Sequence, residues 1–188
     1  MSVIVSKTRT GNDVRITPLG ATEETKGQRA ARYLGAVTRI SLGWVFLWAF
    51  LDKTFGLGFA TKAGKAWIDG GHPTEGFLKF GAKGPFKEFY NGLAGSTAVD
   101  WVFMIGLLGI GIALVLGIGM RIAAVSGAVM LVMMWTAVLH PENNPFMDDH
   151  IVYALVLGML ALTGAGRTFG LGKVWERLAI VKRFPILK

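Results

Sequence analysis

Four long apolar runs constrain this chain more than any other feature of its sequence. Each has few charges over roughly twenty residues, about the length that a helix needs to cross the hydrocarbon core of a bilayer. Only 17% of the residues are charged, whereas soluble domains usually carry about 25%. Lipid cannot satisfy unpaired backbone amides, and the strict alternation of barrel strands is missing, so the runs are predicted to be helices. The sequence predicts an all-α integral membrane four-helix bundle with spans at about 33–53, 98–117, 120–139 and 149–165.

The distribution of lysine and arginine predicts the orientation of these spans. A polar arm (1–32) precedes the membrane domain (33–166), and a basic amphipathic tail (167–188) follows it. The turn 140–150 has no lysine or arginine at all. By the positive-inside rule, both termini are expected in the cytoplasm of a multi-pass cell-membrane protein. The arm lacks the apolar core of a cleaved signal, so the first span is expected to direct insertion.

The loop 54–97 between the first two spans is expected to form ordered structure and not only to link the spans. It is long and aromatic, and PFKEFYNGLAG gives a helical spacing of apolar residues after a proline suited to a first turn. We expect an extracytoplasmic loop with short amphipathic helices that covers the outer mouth of the bundle; the alternative is a surface loop that touches lipid. The spaced residues are Phe86, Phe89, Tyr90 and Leu93.

Composition also limits which ligands and partner molecules the chain is expected to bind. The net charge of +8 is explained by topology and anionic lipid rather than by nucleic acid, because basic residues flank the spans. Cysteine is absent, which excludes disulfides and thiolate ligation of zinc or iron–sulfur clusters. Small residues four apart let helix backbones approach in lipid, and homo-oligomerisation stays open. These stripes are Gly109–Ala113–Gly117, Ala123–Gly127 and Ala154–Gly158.

Ionisable residues in or beside the spans are candidates for function. Arg39 and Lys53 fall on one helical face, which favours a polar bundle interior; the alternative for Arg39 is that it snorkels to the headgroups. All three histidines are predicted at the outer rim, where imidazole could carry protons or donate to an anion. Carboxylates at helix starts are also ordinary caps. No ligand spacing indicates a metal, and no mid-depth histidine indicates haem. The rim set is His72, His140, His150, Asp148, Asp149, Asn143 and Asn144.

Four segments give the chain a family resemblance. TRISLGWVFLWAFLDKTFGLGF, AWIDGGHPTEGFL, AGSTAVDWVFMIGLLGIGIALVLGIGMRIAA and NNPFMDDHIVYALVL together resemble the DoxX/DoxD family of small membrane proteins over about 33–185. The GGHPT-bearing loop looks closest to DoxD, the large subunit of thiosulfate:quinone oxidoreductase. The resemblance implies four membrane helices, a small DoxA-like second subunit, and oxidation of thiosulfate to tetrathionate with a membrane quinone as acceptor.

The leading hypothesis is therefore a membrane subunit of a quinone-linked oxidoreductase that acts on a small sulfur anion at the outer face. Its alternative is a non-catalytic subunit or scaffold of a respiratory or redox-stress complex; a transporter has less support, because no inverted repeat or broken helix is evident. The catalytic candidates are His140, Asp148, Asp149 and His150. The substrate-binding candidates are Arg39, Lys53, His72, Asn143 and Asn144, with Lys62 or Lys65 as further attractants for the anion. The quinone-ring candidates, which are alternatively interfacial anchors, are Trp44, Trp48, Trp101 and Trp135.

Overall fold

The computed structural model describes residues 24–188, and every regular element in that range is a helix. The all-α prediction is confirmed there, while most of the predicted arm lies outside the described residues. The α-helices are α1 (Lys26–Phe55), α2 (Lys87–Leu93), α3 (Thr97–Leu116), α4 (Met120–Ala137), α5 (Asp149–Leu162), α6 (Gly172–Trp175) and α7 (Ala179–Arg183). Shorter turns are 3₁₀ helices at Trp67–Asp69, Gly84–Phe86, Ala165–Arg167 and Pro185–Leu187, and a π-helix at Phe77–Gly81.

Helix α1 begins earlier than the apolar pattern indicates. The Thr25 side chain accepts from the Gln28 backbone, and the Gln28 side chain accepts in return from Thr25 N. This capping box satisfies two amide donors that a helix start otherwise leaves unpaired. The helix consequently extends through residues 26–32, which the sequence pattern assigns to the polar arm.

Three of the helices are long and apolar enough to cross a membrane: α1, α3 and α4. Helix α5 has 14 residues and is therefore about 21 Å long, shorter than a hydrocarbon core of about 30 Å. The apolar helices suggest a bilayer environment for the protein. The fourth span and the orientation of the termini stay predictions.

The long helices pack as neighbours in the order α1, α3, α4 and α5. Buried side chains between them include Phe46, Met104, Leu107, Leu157 and Leu160. One end of this assembly carries the loop 56–96 and the turn 138–148, and we call it the loop end. The opposite end carries the segment 163–188, and we call it the tail end.

The loop 56–96 is folded against the loop end, as its composition indicates. Tyr90 is buried, and its hydroxyl hydrogen-bonds the Met133 carbonyl (3.0 Å) and the Thr136 hydroxyl (2.6 Å), which fastens α2 to α4. Phe86 and Phe89 are exposed. The predicted amphipathic helix therefore forms, but only part of its apolar face is buried.

The segment 163–188 folds back on the tail end as short pieces rather than as one amphipathic helix. Val181 is fully buried, and the Trp175 indole donates to the Leu187 carbonyl at 2.5 Å. The Arg121 guanidinium donates to the Pro185 carbonyl at 3.1 Å. The segment is thus attached to α4 by specific contacts.

Candidate functional site

A buried carboxylate organises the loop end. Asp100 lies in the first turn of α3, is 1% exposed, and does not cap its own helix. Its Oδ1 accepts from Thr74 N at 3.0 Å and from the Thr74 hydroxyl at 2.6 Å. Its Oδ2 lies 2.7 Å from Nδ1 of His72. Three hydrogen bonds thus join the start of α3 to the GGHPT segment. The two lie 26 to 28 residues apart in the sequence but are adjacent in space.

The backbone of the GGHPT segment explains why the contact can form. Gly70 has φ +84°, and a Cβ at Gly71 would lie 2.3 Å from the Lys65 carbonyl oxygen. Only glycine fits such a close backbone approach. The two glycines therefore turn the chain tightly enough to present His72 and Thr74 to Asp100.

The hydrogen bond to Asp100 has a chemical consequence for His72. A carboxylate accepts, so Nδ1 is assigned as the donor and Nε2 is left as the acceptor of the neutral ring. Within residues 24–188, Nε2 has no hydrogen-bond partner, and the side chain is 39% exposed. The pair is therefore an oriented imidazole that can exchange protons with a bound molecule or with water.

A cation lies beside this pair. The Lys53 ammonium donates to the Pro73 carbonyl at 2.9 Å and lies 5.9 Å from the centre of the Phe103 ring. Pro73 stands between His72 and Thr74, so the ammonium is attached to the same short segment. Lys53, His72 and Asp100 together form what we call the loop-end site.

Two further features support the loop-end site. The buried Asp52 carboxylate accepts from Phe59 N at 3.2 Å and from Thr61 N at 2.8 Å, which holds the loop against the end of α1. Trp101, next to Asp100 in sequence, makes an edge contact with Trp67 at 4.6 Å between ring centres. The first feature holds the loop to α1, and the second holds it to α3.

A second imidazole–carboxylate pair lies at the start of α5. His150 Nδ1 is 2.7 Å from Asp148 Oδ2 and 3.8 Å from an oxygen of Asp149. Asp148 also caps α5 by accepting from Ile151 N at 3.3 Å. The three side chains are close enough to hold a metal ion, although an exposed carboxylate next to a cap is common without one. No hydrogen bond or ion pair of the described residues joins this pair to the loop-end site.

The other residues of the 140–150 turn organise the turn itself. Asn144 Oδ1 accepts from Phe146 N (2.9 Å) and Met147 N (2.8 Å), as an asparagine does in a tight turn. His140 is exposed, and its Nδ1 lies 3.3 Å from the Pro145 carbonyl. Asn143 is exposed. All three histidines thus lie at the loop end, but in three separate sets of contacts; their place at the outer rim stays a prediction.

Arg39 lies at the other end of the molecule. It is fully buried, and its guanidinium donates to the carbonyls of Leu114, Val115, Thr168 and Phe169. Fourteen residues of helix separate it from Lys53, a rise of about 21 Å. The structure therefore brings Lys53 close to the segment that carries His72 but leaves Arg39 apart, and it buries the Arg39 side chain within the protein.

The four tryptophans proposed for a quinone ring belong to three aromatic groups. Trp44 contacts Trp48 at 5.8 Å, and Trp48 contacts Phe59 at 5.1 Å. Trp135 contacts Phe146 at 5.1 Å and donates to its carbonyl. Trp101 pairs with Trp67. Of the four, Trp101 alone adjoins a residue of the loop-end site in sequence.

Sequence reasoning missed the roles of Asp100 and Thr74. A carboxylate in the first turn of a helix has an ordinary electrostatic explanation, and nothing local marks its long-range partners. The signal that existed was GGHPT, where two glycines precede a histidine and a hydroxyl residue. Compared with family models, curated proteins and solved structures, the chain matches none of them. The resemblance to the DoxX/DoxD family stays a prediction from the segments quoted above.

Proposed function

We propose that this chain is a membrane subunit of a quinone-linked oxidoreductase that oxidises a small sulfur anion of the thiosulfate class. The observation that carries the proposal is the His72–Asp100 pair beside the Lys53 ammonium. It combines a proton-exchanging group with a cation at the end of apolar helices, where an anion from water and a quinone from lipid could meet. The substrate class follows from the resemblance of the GGHPT-bearing loop to DoxD.

The reaction defines what these residues would do. Two thiosulfate anions each lose one electron and join through a new S–S bond as tetrathionate, while the quinone gains both electrons and two protons. Lys53 attracts the anion by charge. His72 takes up a proton from water on Nε2 and passes it to a quinone oxygen, and Asp100 orients the ring. Of the four tryptophans, Trp101 is the candidate to contact the quinone ring, because it follows Asp100 in the sequence and is exposed.

The test measures quinone reduction by membranes that contain the chain, because the resemblance implies a small second subunit. Decylubiquinone and thiosulfate are added, and quinol formation is followed by absorbance. His72→Gln keeps a polar side chain but cannot exchange a proton near neutral pH, so turnover should fall by about 100-fold, within the usual range for a general acid or base. Lys53→Gln should chiefly raise the KM for thiosulfate.

The matched control is Lys87→Gln, which removes an exposed lysine from the same end and should leave both constants unchanged. His150→Ala is measured in parallel. If turnover is lost only in that variant, the reaction takes place at the start of α5 and not at the loop-end site. Equal turnover in wild type and His72→Gln would refute the assignment of the loop-end site.

A non-catalytic membrane subunit is the second candidate, favoured by apolar side chains that project from the loop 56–96. Phe59, Ile68, Phe80 and Phe89 are all exposed there, and exposed apolar clusters on a folded segment often mark a protein contact. Absence of thiosulfate-dependent turnover, together with co-purification of one stable complex that Phe80→Ser and Phe89→Ser disrupt, would favour this candidate.

A further inference from the structure

A groove runs along the surface between α3 and α4 in their tail-end half. Its volume is about 330 Å³. A Cβ built at Gly109 would meet nothing within 4 Å, so this glycine leaves space between the two helices instead of bringing them together. The walls include Gly106, Gly109, Ala113, Ile122, Ala123 and Ser126.

A basic pocket of about 150 Å³ adjoins the groove at the tail end. Its charged lining residues are Arg121, Arg167, Lys188 and Glu176. Glu176 accepts from Arg167 at 2.9 Å, which leaves Arg121 and Lys188 without a carboxylate partner in the described residues. The pocket therefore carries a net positive charge.

Trp175 is shared by the two cavities, because it lines both of them. Its indole N–H is held by the Leu187 carbonyl, so the ring is fixed between an apolar space and a cationic one. Tryptophan commonly occupies this position at a membrane–water interface. The groove and the basic pocket together thus form a site that is apolar on one side of Trp175 and cationic on the other.

We propose that this combined site holds one anionic phospholipid, with its phosphate in the basic pocket and an acyl chain in the groove. A free phosphate would use only the pocket, and a helix of a second copy would use only the groove. An anionic lipid alone matches both halves, since its charge complements Arg121 and Lys188 and its chain complements the apolar walls. The groove lies on two helices that are long enough to span a bilayer, and lipids surround such helices in a membrane.

The test uses native mass spectrometry of the full chain purified in a neutral detergent. Phosphatidylglycerol is titrated against phosphatidylcholine of the same chain length, and inorganic phosphate is a third arm. We expect one phosphatidylglycerol to bind at least tenfold more tightly than phosphatidylcholine, and inorganic phosphate not to compete at millimolar concentration.

Two variants divide the site. Gly109→Leu fills the groove, and its control is Gly158→Leu on α5, where a Cβ also meets nothing within 4 Å. Arg121→Gln combined with Lys188→Gln removes the pocket charge, and its control is the pair Lys62→Gln and Lys87→Gln at the loop end. Each site variant should weaken phosphatidylglycerol binding about tenfold or more, and each control should not.

Three outcomes would overturn the proposal. If Gly109→Leu binds phosphatidylglycerol as tightly as wild type does, the groove does not hold the acyl chain. Equal competition by inorganic phosphate would assign the pocket to a free anion. If wild type is a dimer and Gly109→Leu is a monomer, the groove binds a helix of a second copy instead of a lipid. Elution volume and helical content that match Gly158→Leu establish that the variant is folded.

Discussion

Arg39 shows how a buried charge can be stabilised without a carboxylate. Its guanidinium meets the last carbonyls of α3 and two carbonyls of the segment after α5, while its Nε has no partner. Helix C-termini carry unpaired carbonyls and a partial negative charge, which a cation offsets. Arginine suits the position because its planar fork offers donors in several directions at once. One side chain thereby ties α1, α3 and the tail end together.

Replacement of Arg39 by methionine is expected to destabilise the protein strongly. The four carbonyls would lose their donor, and each buried polar group left unpaired costs about 1–3 kcal/mol. We expect the free energy of unfolding in detergent to fall by about 3 kcal/mol or more, as measured by denaturant titration of helical content. Arg177→Met, at an exposed position of the tail end, should change it little. Equal stability of the two variants would show that the carbonyls are satisfied in another way.

Asp100 illustrates what a sequence cannot disclose at the scale of a residue. The side chain is visible as an acid at a helix start, which predicts a solvated dipole partner. Its actual environment depends on Thr74 and His72, which reach it only after the loop 56–96 has folded. Local pattern predicted the position of the helix that carries the carboxylate, but no pattern predicts a contact made by a distant loop.

At the scale of elements, the predicted stripes account for only some of the close glycine contacts. Gly127 belongs to a predicted stripe, and a Cβ there would lie 2.6 Å from Leu157 Cδ1 on α5. A Cβ at Gly43 would lie 2.9 Å from both Leu114 Cβ and Val115 N, and one at Gly111 would lie 2.7 Å from Leu47. These two glycines bring α1 and α3 together reciprocally. Gly109 and Gly158, members of the predicted stripes, face open space. Spacing alone identified small residues, but which helix faces meet is decided by the whole assembly.

This difference predicts opposite results for two chemically identical substitutions. Gly43→Ala should lower the free energy of unfolding by about 1–3 kcal/mol, because the added methyl overfills a contact with backbone and Cβ atoms that cannot rotate away. Gly158→Ala should be neutral or slightly stabilising, since alanine favours helix over glycine. Denaturant titration of both proteins in the same detergent checks this, and a larger loss for Gly158→Ala would contradict the helix contacts described.

The turn between α4 and α5 is joined to the loop 56–96 by an exposed ion pair of Glu142 and Lys83. The Lys83 ammonium lowers the pKa of the Glu142 carboxyl below its ordinary value. A lowered folded-state pKa gives stability that is complete above the ordinary glutamate value and is lost as the pH falls through the lowered one. Glu142→Gln should therefore melt slightly below wild type at pH 7, and the difference should be smaller at about pH 4, below the ordinary glutamate pKa. Glu88→Gln, another exposed glutamate of the loop, should show no difference at either pH.

At the scale of the whole molecule, charge separates the two ends. Among residues 24–188, the tail end has eleven basic residues, seven of them arginine, and two acidic ones; the loop end has six lysines and eight acidic residues. The apolar runs predicted where α3 and α4 begin and end to within about two residues, because glycines 117 and 119 interrupt the helices in left-handed conformations. The run in α5 is shorter than a membrane is thick, so apolarity alone does not determine whether that helix crosses.

Cysteine labelling tests both the orientation and the path of α5, and the chain suits it because it has no cysteine of its own. The charge asymmetry predicts that the tail end is cytoplasmic. In intact cells, a membrane-impermeant maleimide should label Lys62→Cys and Asn143→Cys at the loop end and should label Lys173→Cys only after permeabilisation. If both Lys173→Cys and Asn143→Cys are labelled in intact cells, the two residues lie on the same side of the membrane and α5 does not cross it. Protection of Lys62→Cys and Asn143→Cys alongside labelling of Lys173→Cys would invert the orientation, and the loop-end site would then meet its anion from the cytoplasm.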